Sequence, residues 1–462
     1  LISVNFTMSD LYDEIQHNFE MRQPYGQALN SGASFNIGLK YEKYQITKNL
    51  DVEAYLGYNK ILSGFTDTTF NIYDWNGDVI GRKSFGGEIT PSQNLLNLTG
   101  HNLTGRIALN YAINKNTKLT LNSLASSYER TGEDPVAEEF YGVDHFKNPV
   151  QIIRITSGLG LERSFFSKKL ISSTAFKHYG FYSEGFFLEN GERTIIDQNL
   201  SQFGFSQSFR WKKSEVIQIK SSYEYATRLP DRIELLGDFS AAINANPGLT
   251  PETSHNQNLG FSAKNGMWKT ELNGFYRNIR DIIILQAVPP PVLSKHENLL
   301  RTSVAGIEGT VDFQPYHWLT TRVNITYQDI RNKSDRINAG VSSDRFFGVR
   351  LPNRPFLFGN SNIQIEQKYL LSKYDRFQFW LQTFFVQRFF RFWEVDGRTD
   401  DKLEIPEQRL HNAGIAYTLS NQKITFSLES QNLSNNKALD NFRVQKPGRS
   451  WHFRIRLFTT KS

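Results

Sequence analysis

Apolar and polar residues alternate with a period of two along most of this chain. In residues 33–42, Ala33, Phe35, Ile37 and Leu39 lie on one face, and polar residues fill most of the positions between them. Such alternation is typical of β-strands with one apolar and one polar face. The same pattern returns in segments that begin near Leu50, Leu103, Leu119, Ile217, Leu319 and Ile424. The sequence therefore predicts an all-β protein.

Short and long connections take turns between the predicted strands. Tight turns are predicted near Lys48, Lys115, Lys168, Lys213, Gly266, Tyr316, Ser372 and Asn421. Long polar segments separate the resulting hairpins, at residues 60–91, 130–148, 184–193, 230–251, 280–298, 331–353, 396–406 and 433–447. Strict alternation places all the long loops at one end of the sheet, and loops longer than about 12–15 residues are usually functional.

The strand count and the strand lengths separate two interpretations. Eight hairpins give sixteen strands, and one more is predicted at each end, at residues 1–11 and 450–458, so the chain has about eighteen. Many exceed the roughly 5–6 residues usual in soluble proteins and the roughly 9–11 that cross a bilayer with a tilt. A soluble sandwich seldom needs such strands. A transmembrane antiparallel β-barrel does, and its apolar face meets lipid while its polar face lines the lumen.

Aromatic clusters also fit a barrel. Phe384-Phe385, Phe389-Phe390 and Phe392-Trp393 stand where a predicted strand gives way to a long loop. Aromatic girdles occupy this position at both membrane interfaces of such barrels. We therefore expect these side chains to mark an interface.

Composition narrows the class of protein. Of 462 residues 39% are hydrophobic, the mean hydropathy is -0.47, and no apolar run approaches the roughly 18 residues of a spanning helix. Aromatic residues reach 14%, and the absence of cysteine excludes disulfides and thiolate metal sites. The net charge is +7, but Lys and Arg are spread along the chain and mixed with Asp and Glu, so no nucleic-acid partner is expected.

One stretch explains how a long loop returns to a strand. "RLPDRIELLGD" (Arg228–Asp238) begins a loop, Asn246-Pro247-Gly248 makes a turn, and Pro251 precedes the next alternating run. Proline restricts the backbone and cannot donate to a sheet ladder. This stretch is therefore predicted to guide the chain back into the barrel.

That arrangement resembles TonB-dependent outer-membrane receptors. "TRLPDRIELLGD…NPGLTPETSHNQNLGF" is similar to a barrel element of the family, and so are "VAGIEGTVDF", "RLPNRPFLFGN" and the closing "SQNLSNNKALDNFRVQKPGRSWHFRIRLF". The resemblance covers most of residues 223–458. Within the family, the chain resembles siderophore receptors and the receptors of Bacteroidetes. It implies a cell outer-membrane location, a 22-stranded barrel with short periplasmic turns and long extracellular loops, a plug domain, and a TonB protein that supplies energy.

The chain departs from this family pattern. It shows no TonB box and no plug sequence, and its predicted strands fall about four short of the family's number. We expect residues 1–462 to be a barrel domain from which the plug and the first two hairpins are absent. Expected partners are outer-membrane lipid and lipopolysaccharide, TonB through the missing N-terminal part, the plug domain and surface lipoproteins.

No catalytic motif accompanies the pattern. The sequence lacks a His-Glu-x-x-His motif, a Gly-rich phosphate loop and a Gly-x-Ser-x-Gly elbow, and its nine histidines have no ligand spacing. We predict neither an enzyme nor a metal site, and no cofactor is assigned.

Ligand binding is expected at the long-loop end and in the polar lumen. Arginine supplies bidentate contacts to anions and aromatic rings supply stacking area. The candidate residues are Arg228, Asp231, Arg232, Trp75, Tyr141, Arg391, Trp393 and Arg398. The alternative assigns the aromatic residues to an interface girdle and the arginines to lipopolysaccharide or lumen pairing.

The expected function is import of a scarce nutrient, such as a ferric siderophore or another metal chelate, energised through TonB. Two alternatives stay open. A passive porin-like channel would conduct ions without TonB. A structural barrel subunit of a larger envelope complex would co-purify with partners.

Overall fold

The computed structural model describes residues 2–11, 29–67, 71–73, 79–82, 94–142, 145–189, 192–236, 243–287, 294–334, 346–391, 393–395, 404–420, 422–439 and 446–457. Eighteen long strands dominate it: β1 Ile2–Leu11, β2 Leu29–Thr47, β3 Leu50–Asp67, β4 Asn94–Asn114, β5 Thr117–Glu133, β6 Val150–Phe165, β7 Leu170–Glu189, β8 Glu192–Lys212, β9 Ile217–Arg228, β10 Glu252–Asn265, β11 Trp268–Ala287, β12 Ser294–Tyr316, β13 Leu319–Asn332, β14 Leu357–Lys368, β15 Arg376–Val386, β16 Gln408–Thr418, β17 Ile424–Gln431 and β18 Ser450–Leu457.

The shorter elements lie between these strands. Two brief helices are α1, Pro135–Tyr141, and α2, Arg232–Leu236, and a 3-10 turn covers His145–Lys147. Asn71–Tyr73 pairs with Val79–Arg82, and Phe389–Phe390 pairs with Glu404–Ile405. Ile243–Asn244 adds a short parallel pairing to β12. No helix within the described ranges is long and apolar enough to cross a membrane.

The eighteen strands form one antiparallel sheet in chain order. Each strand pairs with its neighbour in sequence, from β1 with β2 to β17 with β18. Short connections follow β2, β4, β6, β8, β10, β12, β14 and β16, which confirms the eight predicted turns. We call this edge the short-turn end and the opposite edge the long-loop end.

The ladder extends into two segments that the sequence predicted as loops. At residues 184–193, Glu184 pairs with Asp197 and Glu189 with Glu192. At residues 280–298, Ile283 pairs with Asn298 and Ala287 with Ser294. Side chains in such extensions need not alternate in polarity, so the period-two signal fades while the backbone pairing continues.

The apolar side chains of the sheet share one face. Leu39 pairs with Leu56, and Leu121 pairs with both Leu109 and Leu159, which places them together on that face. Many are strongly exposed, including Leu259 at 64%. On β18, Phe453, Ile455 and Leu457 pair directly with Leu428, Phe426 and Ile424 of β17, so they share its apolar face, in agreement with the predicted register. A continuous exposed apolar face is the lipid-facing surface of a membrane barrel.

The opposite face is polar and lines the lumen. Lys177 and Glu224 form an ion pair at 2.6 Å, Asn324 donates to Asn360 at 2.8 Å, and Asn59 donates to Asn36. Neighbouring strands thus satisfy one another's polar groups. The lumen wall is therefore polar, and side-chain hydrogen bonds and ion pairs connect its strands.

Buried apolar clusters gather at the long-loop end. Val150, Ile152, Phe181, Leu235, Leu249 and Ile283 form the largest of them. Phe389, predicted as part of an interfacial girdle, is only 5% exposed and lies in the ribbon with Ile405. That part of the girdle prediction is wrong, because the loop folds the ring inward.

Candidate functional site

The predicted re-entry stretch folds into a small packed unit at the long-loop end. We call its described residues, 229–236 and 243–251, the re-entry segment. Leu235 and Leu249 are 0% and 1% exposed and pack against Ile152 of β6 and Phe181 of β7. Ile152 and Ile155 are three positions apart in β6 and therefore lie on opposite faces of the sheet. Because Ile155 is exposed on the lipid-facing side, the segment covers the lumen face of these strands. The segment narrows the mouth.

Arg228 holds both ends of the re-entry segment. Its Nη1 donates to both carboxylate oxygens of Glu234 at 3.0 Å, and its Nη2 donates to Glu252 Oε1 at 2.7 Å. The same Glu252 oxygen accepts the backbone N–H of Ile283 at 2.7 Å. Charge-assisted forked contacts of this kind are among the strongest hydrogen bonds in proteins. One guanidinium therefore joins the end of β9, α2, the start of β10 and β11.

Asp231 and Arg232 complete the cluster with partners on other strands. Asp231 accepts from Arg154 of β6 at 3.0 Å, and Arg154 also donates to the carbonyl of Pro230. The Arg232 guanidinium lies 4.5 Å from the ring centre of Tyr128 in β5. Three predicted site residues are thus brought together, and each charged group has an intramolecular partner.

The far side of the re-entry segment is fixed to β8 and β12. Gln198 donates to the carbonyl of Pro247. Asn246 donates to the His296 carbonyl at 2.7 Å, and Asn298 Oδ1 accepts the Thr250 N–H at 2.9 Å. Because its contacts run from β5 to β12, the segment spans a wide arc of the mouth.

A second cluster surrounds Trp393. This indole lies 5.1 Å from the ring centre of Phe346 and packs beside Ile284 and Leu351. Arg391 is two residues earlier in the same loop. A cavity of about 210 Å³ opens nearby and is lined by Arg350, Arg354, Phe356, Arg388, Phe390 and Glu404, among others. Cationic and aromatic groups together suit an anionic or aromatic ligand.

Arg350 carries the electrostatics of this second cluster. Burial opposes its charge, but hydrogen bonding to Asp329 raises the pKa of the guanidinium. Arg350 Nε lies 2.8 Å from Asp329, and its guanidinium lies 4.4 Å from the ring centre of Phe356. The residue stays cationic at any physiological pH.

The remaining candidates are less well placed. Tyr141 is the last residue of α1, with its side chain outside the described set, and Trp75 and Arg398 lie outside the described residues. The sequence reasoning missed Arg154, Glu234 and Glu252. Glu252 directly follows Pro251 in the predicted re-entry stretch, so its charge could have been recognised from the sequence. Arg154 is 77 positions from its partner Asp231, and nothing in the sequence indicated their contact.

Three of the described histidines serve as hydrogen-bonding partners on the strands. His101 contacts the Tyr58 hydroxyl at 2.7 Å, His255 contacts that of Tyr223 at 2.9 Å, and His411 contacts Thr383 at 2.9 Å. Within the part of the chain that the structure describes, no group of three or more His, Asp or Glu could hold a metal ion.

The lumen wall also carries charge near the short-turn end. A recess of about 550 Å³ lies against β14 to β18. Among the residues that line it are Lys368, Arg376, Trp380, Glu429, Arg454 and Arg456. The wall presents mixed charge with an excess of cations.

Comparison with known proteins gives one family and a set of solved structures. The family model described as "TonB dependent receptor-like, beta-barrel" matches residues 10–433. No curated protein matches the sequence.

The solved structures are similar in fold. The copper transporter OprC has a TM-score of 0.72 at 15% identity, over 94% of this chain and 67% of that one. The siderophore receptor PiuA from Acinetobacter baumannii has a TM-score of 0.69 at 14% identity, over 93% and 64%. The FrpB iron transporter from Neisseria meningitidis (F3-3 variant) has a TM-score of 0.65 at 13% identity, over 97% and 65%. The chain spans about two thirds of the length of these structures.

Proposed function

The chain belongs to the TonB-dependent receptor-like β-barrel family, and from that premise we propose that it forms the barrel of an outer-membrane importer. The cargo is a scarce nutrient such as a ferric siderophore or another metal chelate. Energy reaches the barrel through TonB acting on a plug domain. The similar structures are those of a copper transporter, an iron transporter and a siderophore receptor, which supports this class of cargo.

The observation that carries the proposal is the architecture of the mouth. A porin-like channel needs an unobstructed polar passage, whereas here the re-entry segment packs Leu235 and Leu249 against the lumen wall. A rigid, narrowed mouth beside cationic and aromatic groups suits capture of one bulky ligand.

The predicted binding residues take two roles in this proposal. Arg228, Asp231 and Arg232 shape the mouth, because their charged groups hold the re-entry segment. Arg391 and Trp393 lie beside the cavity that contains Arg354 and Arg388, and this side of the mouth contacts the ligand. Trp75, Tyr141 and Arg398 are proposed to extend this contact from the loops.

The test compares a deletion strain with a strain complemented by the full-length gene. Cells are supplied with ⁵⁵Fe as a ferric catecholate, a ferric hydroxamate or ferric citrate, or with ⁶⁴Cu. The proposal expects accumulation of at least one of these to fall to background on deletion and to return on complementation. Equal accumulation of all of them in both strains, with the barrel present in the outer membrane, would overturn the proposal.

The contact residues are tested in the complemented strain. Arg354→Gln together with Arg388→Gln should raise the ligand concentration for half-maximal uptake about tenfold, as expected from the loss of charge-assisted hydrogen bonds. The matched control Lys115→Gln with Lys168→Gln removes the same charge at the short-turn end. Its uptake should equal wild type.

A further inference from the structure

Arg130 lies on the lumen face of β5, at the edge of the re-entry segment. It pairs directly with Gly100 of β4 and with Val150 of β6. Residues paired directly in an antiparallel sheet lie on the same face. Val150 belongs to the buried cluster beneath Leu235 of α2, so Arg130 is on the side of the sheet that the re-entry segment covers.

A second arginine reaches the same place from the re-entry segment. Arg232 of α2 has its guanidinium 4.5 Å from the ring centre of Tyr128. Tyr128 precedes Arg130 by two positions in β5, so both side chains are on the lumen face. It also pairs directly with the buried Ile152. Arg130, Tyr128 and Arg232 therefore form one group, which we call the Arg130 site.

Neither guanidinium of the Arg130 site has an acidic partner. Arg130 forms no salt bridge and no side-chain hydrogen bond with any described residue, and Arg232 has only its contact with the Tyr128 ring. Arg154, on the same face of β6, differs because Asp231 of the re-entry segment lies 3.0 Å from it. The re-entry segment thus supplies a carboxylate for one arginine of this wall and leaves two others without one.

The electrostatics of the Arg130 site are unfavourable when it is empty. Burial is the main cause that lowers the pKa of the Arg130 guanidinium, and the charge of Arg232 lowers it further, while Tyr128 acts in the opposite direction. A guanidinium nevertheless keeps its proton in proteins, so the cost of the unpaired charge remains. Buried charges are normally paired. A charged group in a cleft without its partner is a candidate binding site.

Space for a ligand group lies next to Arg130. Its direct neighbour Gly100 has no side chain, and the Tyr128 hydroxyl is 3.0 Å from the position that a Cβ of Gly100 would take. The guanidinium of Arg130 and this hydroxyl therefore border the same place over β4. The hydroxyl has no hydrogen-bond partner among the described residues, so it can donate to a ligand.

The Arg130 site is open to water in the mouth. All three of its side chains are partly exposed. Arg130 lies thirteen residues beyond Thr117, the first residue of β5. At about 3.3 Å per residue and a tilt near 45°, this is roughly 30 Å from the short-turn end, whereas the apolar band of such barrels is about 25 Å tall. A solute in the mouth can therefore reach the site.

We propose that the Arg130 site binds an oxyanion group, such as a carboxylate, of the imported chelate. Each guanidinium offers a fork of N–H donors that matches an oxyanion, and the Tyr128 hydroxyl adds one more donor. The bound group removes the repulsion between Arg130 and Arg232 and joins α2 to β5. The subsite presupposes the proposed import function, because it acts on the same cargo, and it restricts that cargo to anionic chelates.

The experiment measures binding to the purified full-length receptor in detergent, without TonB. The probes are two anionic chelates, ferric citrate and a ferric tricatecholate, and one cationic ferric hydroxamate. At least one anionic probe should bind to wild type, and Arg130→Gln should weaken that binding about tenfold, as expected for a lost charge-assisted hydrogen bond. Any affinity for the hydroxamate should stay the same.

Two further variants define the contact. Arg106→Gln is the matched control, because Arg106 contacts Asn122 lower in the same lumen wall, and it should bind like wild type. Arg130→Lys keeps the charge but loses the forked geometry, so its affinity should lie between those of wild type and Arg130→Gln.

Stability without a ligand separates this role from a structural one. Because Arg130 has no partner to lose, Arg130→Gln should unfold at a temperature no lower than that of wild type when no chelate is present. A lower unfolding temperature would overturn the proposal and indicate that a carboxylate of the protein, such as one from the plug domain, already occupies the site.

Three binding results would also overturn it: no binding of either anionic probe to wild type, equal affinity of wild type and Arg130→Gln, or equal weakening in Arg106→Gln. Uptake by the deletion strain tests the import function separately. A cargo that is imported but binds independently of Arg130 would therefore remove the subsite and leave the proposed function standing.

Discussion

At the scale of single residues, Arg228 determines whether the mouth keeps its shape. Its partners Glu234 and Glu252 have side chains only 13% and 15% exposed, while Arg228 itself is 40% exposed. Removing the guanidinium leaves two carboxylates poorly hydrated and without their cation. Partial exposure softens that cost relative to a fully buried pair.

Arg228→Met should therefore destabilise the re-entry segment by about 1.5–2 kcal/mol, which raises local opening roughly 10- to 30-fold. Hydrogen exchange of peptides that cover residues 229–236 and 243–251 measures this directly. Lys213→Met, in an exposed short turn, is the control and should change nothing there. Unchanged exchange in Arg228→Met would show that packing of Leu235 and Leu249 alone holds the segment.

Asp375 has the corresponding role at the short-turn end. It accepts the backbone N–H groups of Leu370, Leu371 and Ser372 at 2.8–2.9 Å and the Tyr417 hydroxyl at 2.7 Å. Burial opposes the charge, but these hydrogen bonds outweigh it and lower the pKa of Asp375 to about 2. Because the folded-state pKa is depressed, the stabilisation is present above the unfolded pKa of about 3.9 and is lost as the pH falls toward 2.

Asp375→Asn should make the barrel unfold at a lower temperature at pH 7, as measured by heat-modified mobility in gels. The gap from wild type should close between pH 4 and pH 2. Glu215→Gln changes an exposed carboxylate in another short turn, where its one salt-bridge partner among the described residues is Lys212, and should have little effect at any pH. A gap for Asp375→Asn that persists at pH 2 would contradict the assigned protonation.

At the scale of strands, successive residues of β10 face the lipid and the lumen in turn. Leu259 is 64% exposed on the apolar face, whereas its neighbour Asn258 donates to Ser222 at 3.1 Å in the lumen wall. Leu259→Arg should cost about 2–4 kcal/mol, because an arginine near the bilayer midplane is poorly solvated. Asn258→Arg, the same residue one position away, should cost much less. Urea unfolding in lipid vesicles measures both, and equal costs would contradict the assigned faces.

A glycine on β16 makes room for a large ring on β15. Gly414 pairs with Trp380, and a Cβ at Gly414 would collide with the indole. Gly414→Val should destabilise the barrel by about 1–3 kcal/mol through overpacking. Gly105→Val on β4, which lies on the lipid-facing side, is a control for the added valine, since a Cβ there meets nothing within 4 Å. Equal stability of the two variants in urea would mean that Trp380 moves aside freely.

The strand scale also shows what the sequence could predict. Alternation located eighteen strands and eight tight turns, because each membrane-spanning strand must show lipid one face and water the other. It failed at residues 184–193 and 280–298, where pairing continues but consecutive apolar residues, such as Ile282 to Leu285, replace the alternation. The prediction for Phe389 failed for a different reason. An aromatic ring fits an interfacial girdle and a folded loop equally well, so the residue type alone does not distinguish the two positions.

At the scale of the whole molecule, the motif at Arg228 to Pro251 predicted where the mouth lies but not how it is held. The Arg228–Glu234–Glu252 cluster combines residues up to 24 positions apart, and its anchors at Arg154 and Asn298 come from other hairpins. Only the pairing of successive strands across the sheet brings these groups together. Trp393, predicted as a ligand contact, forms a cluster separate from that of Arg228, because its loop folds over Ile284 and Leu351.

The central claim is that this barrel belongs to an energised importer, and the most direct test is the initial rate of cargo uptake in cells with and without functional TonB. The cargo is whichever metal chelate the deletion strain fails to accumulate. With TonB absent, we expect uptake to fall to the level of the deletion strain while surface binding of the chelate remains. Uptake that continues at the wild-type rate without TonB would contradict energised import and identify a passive channel.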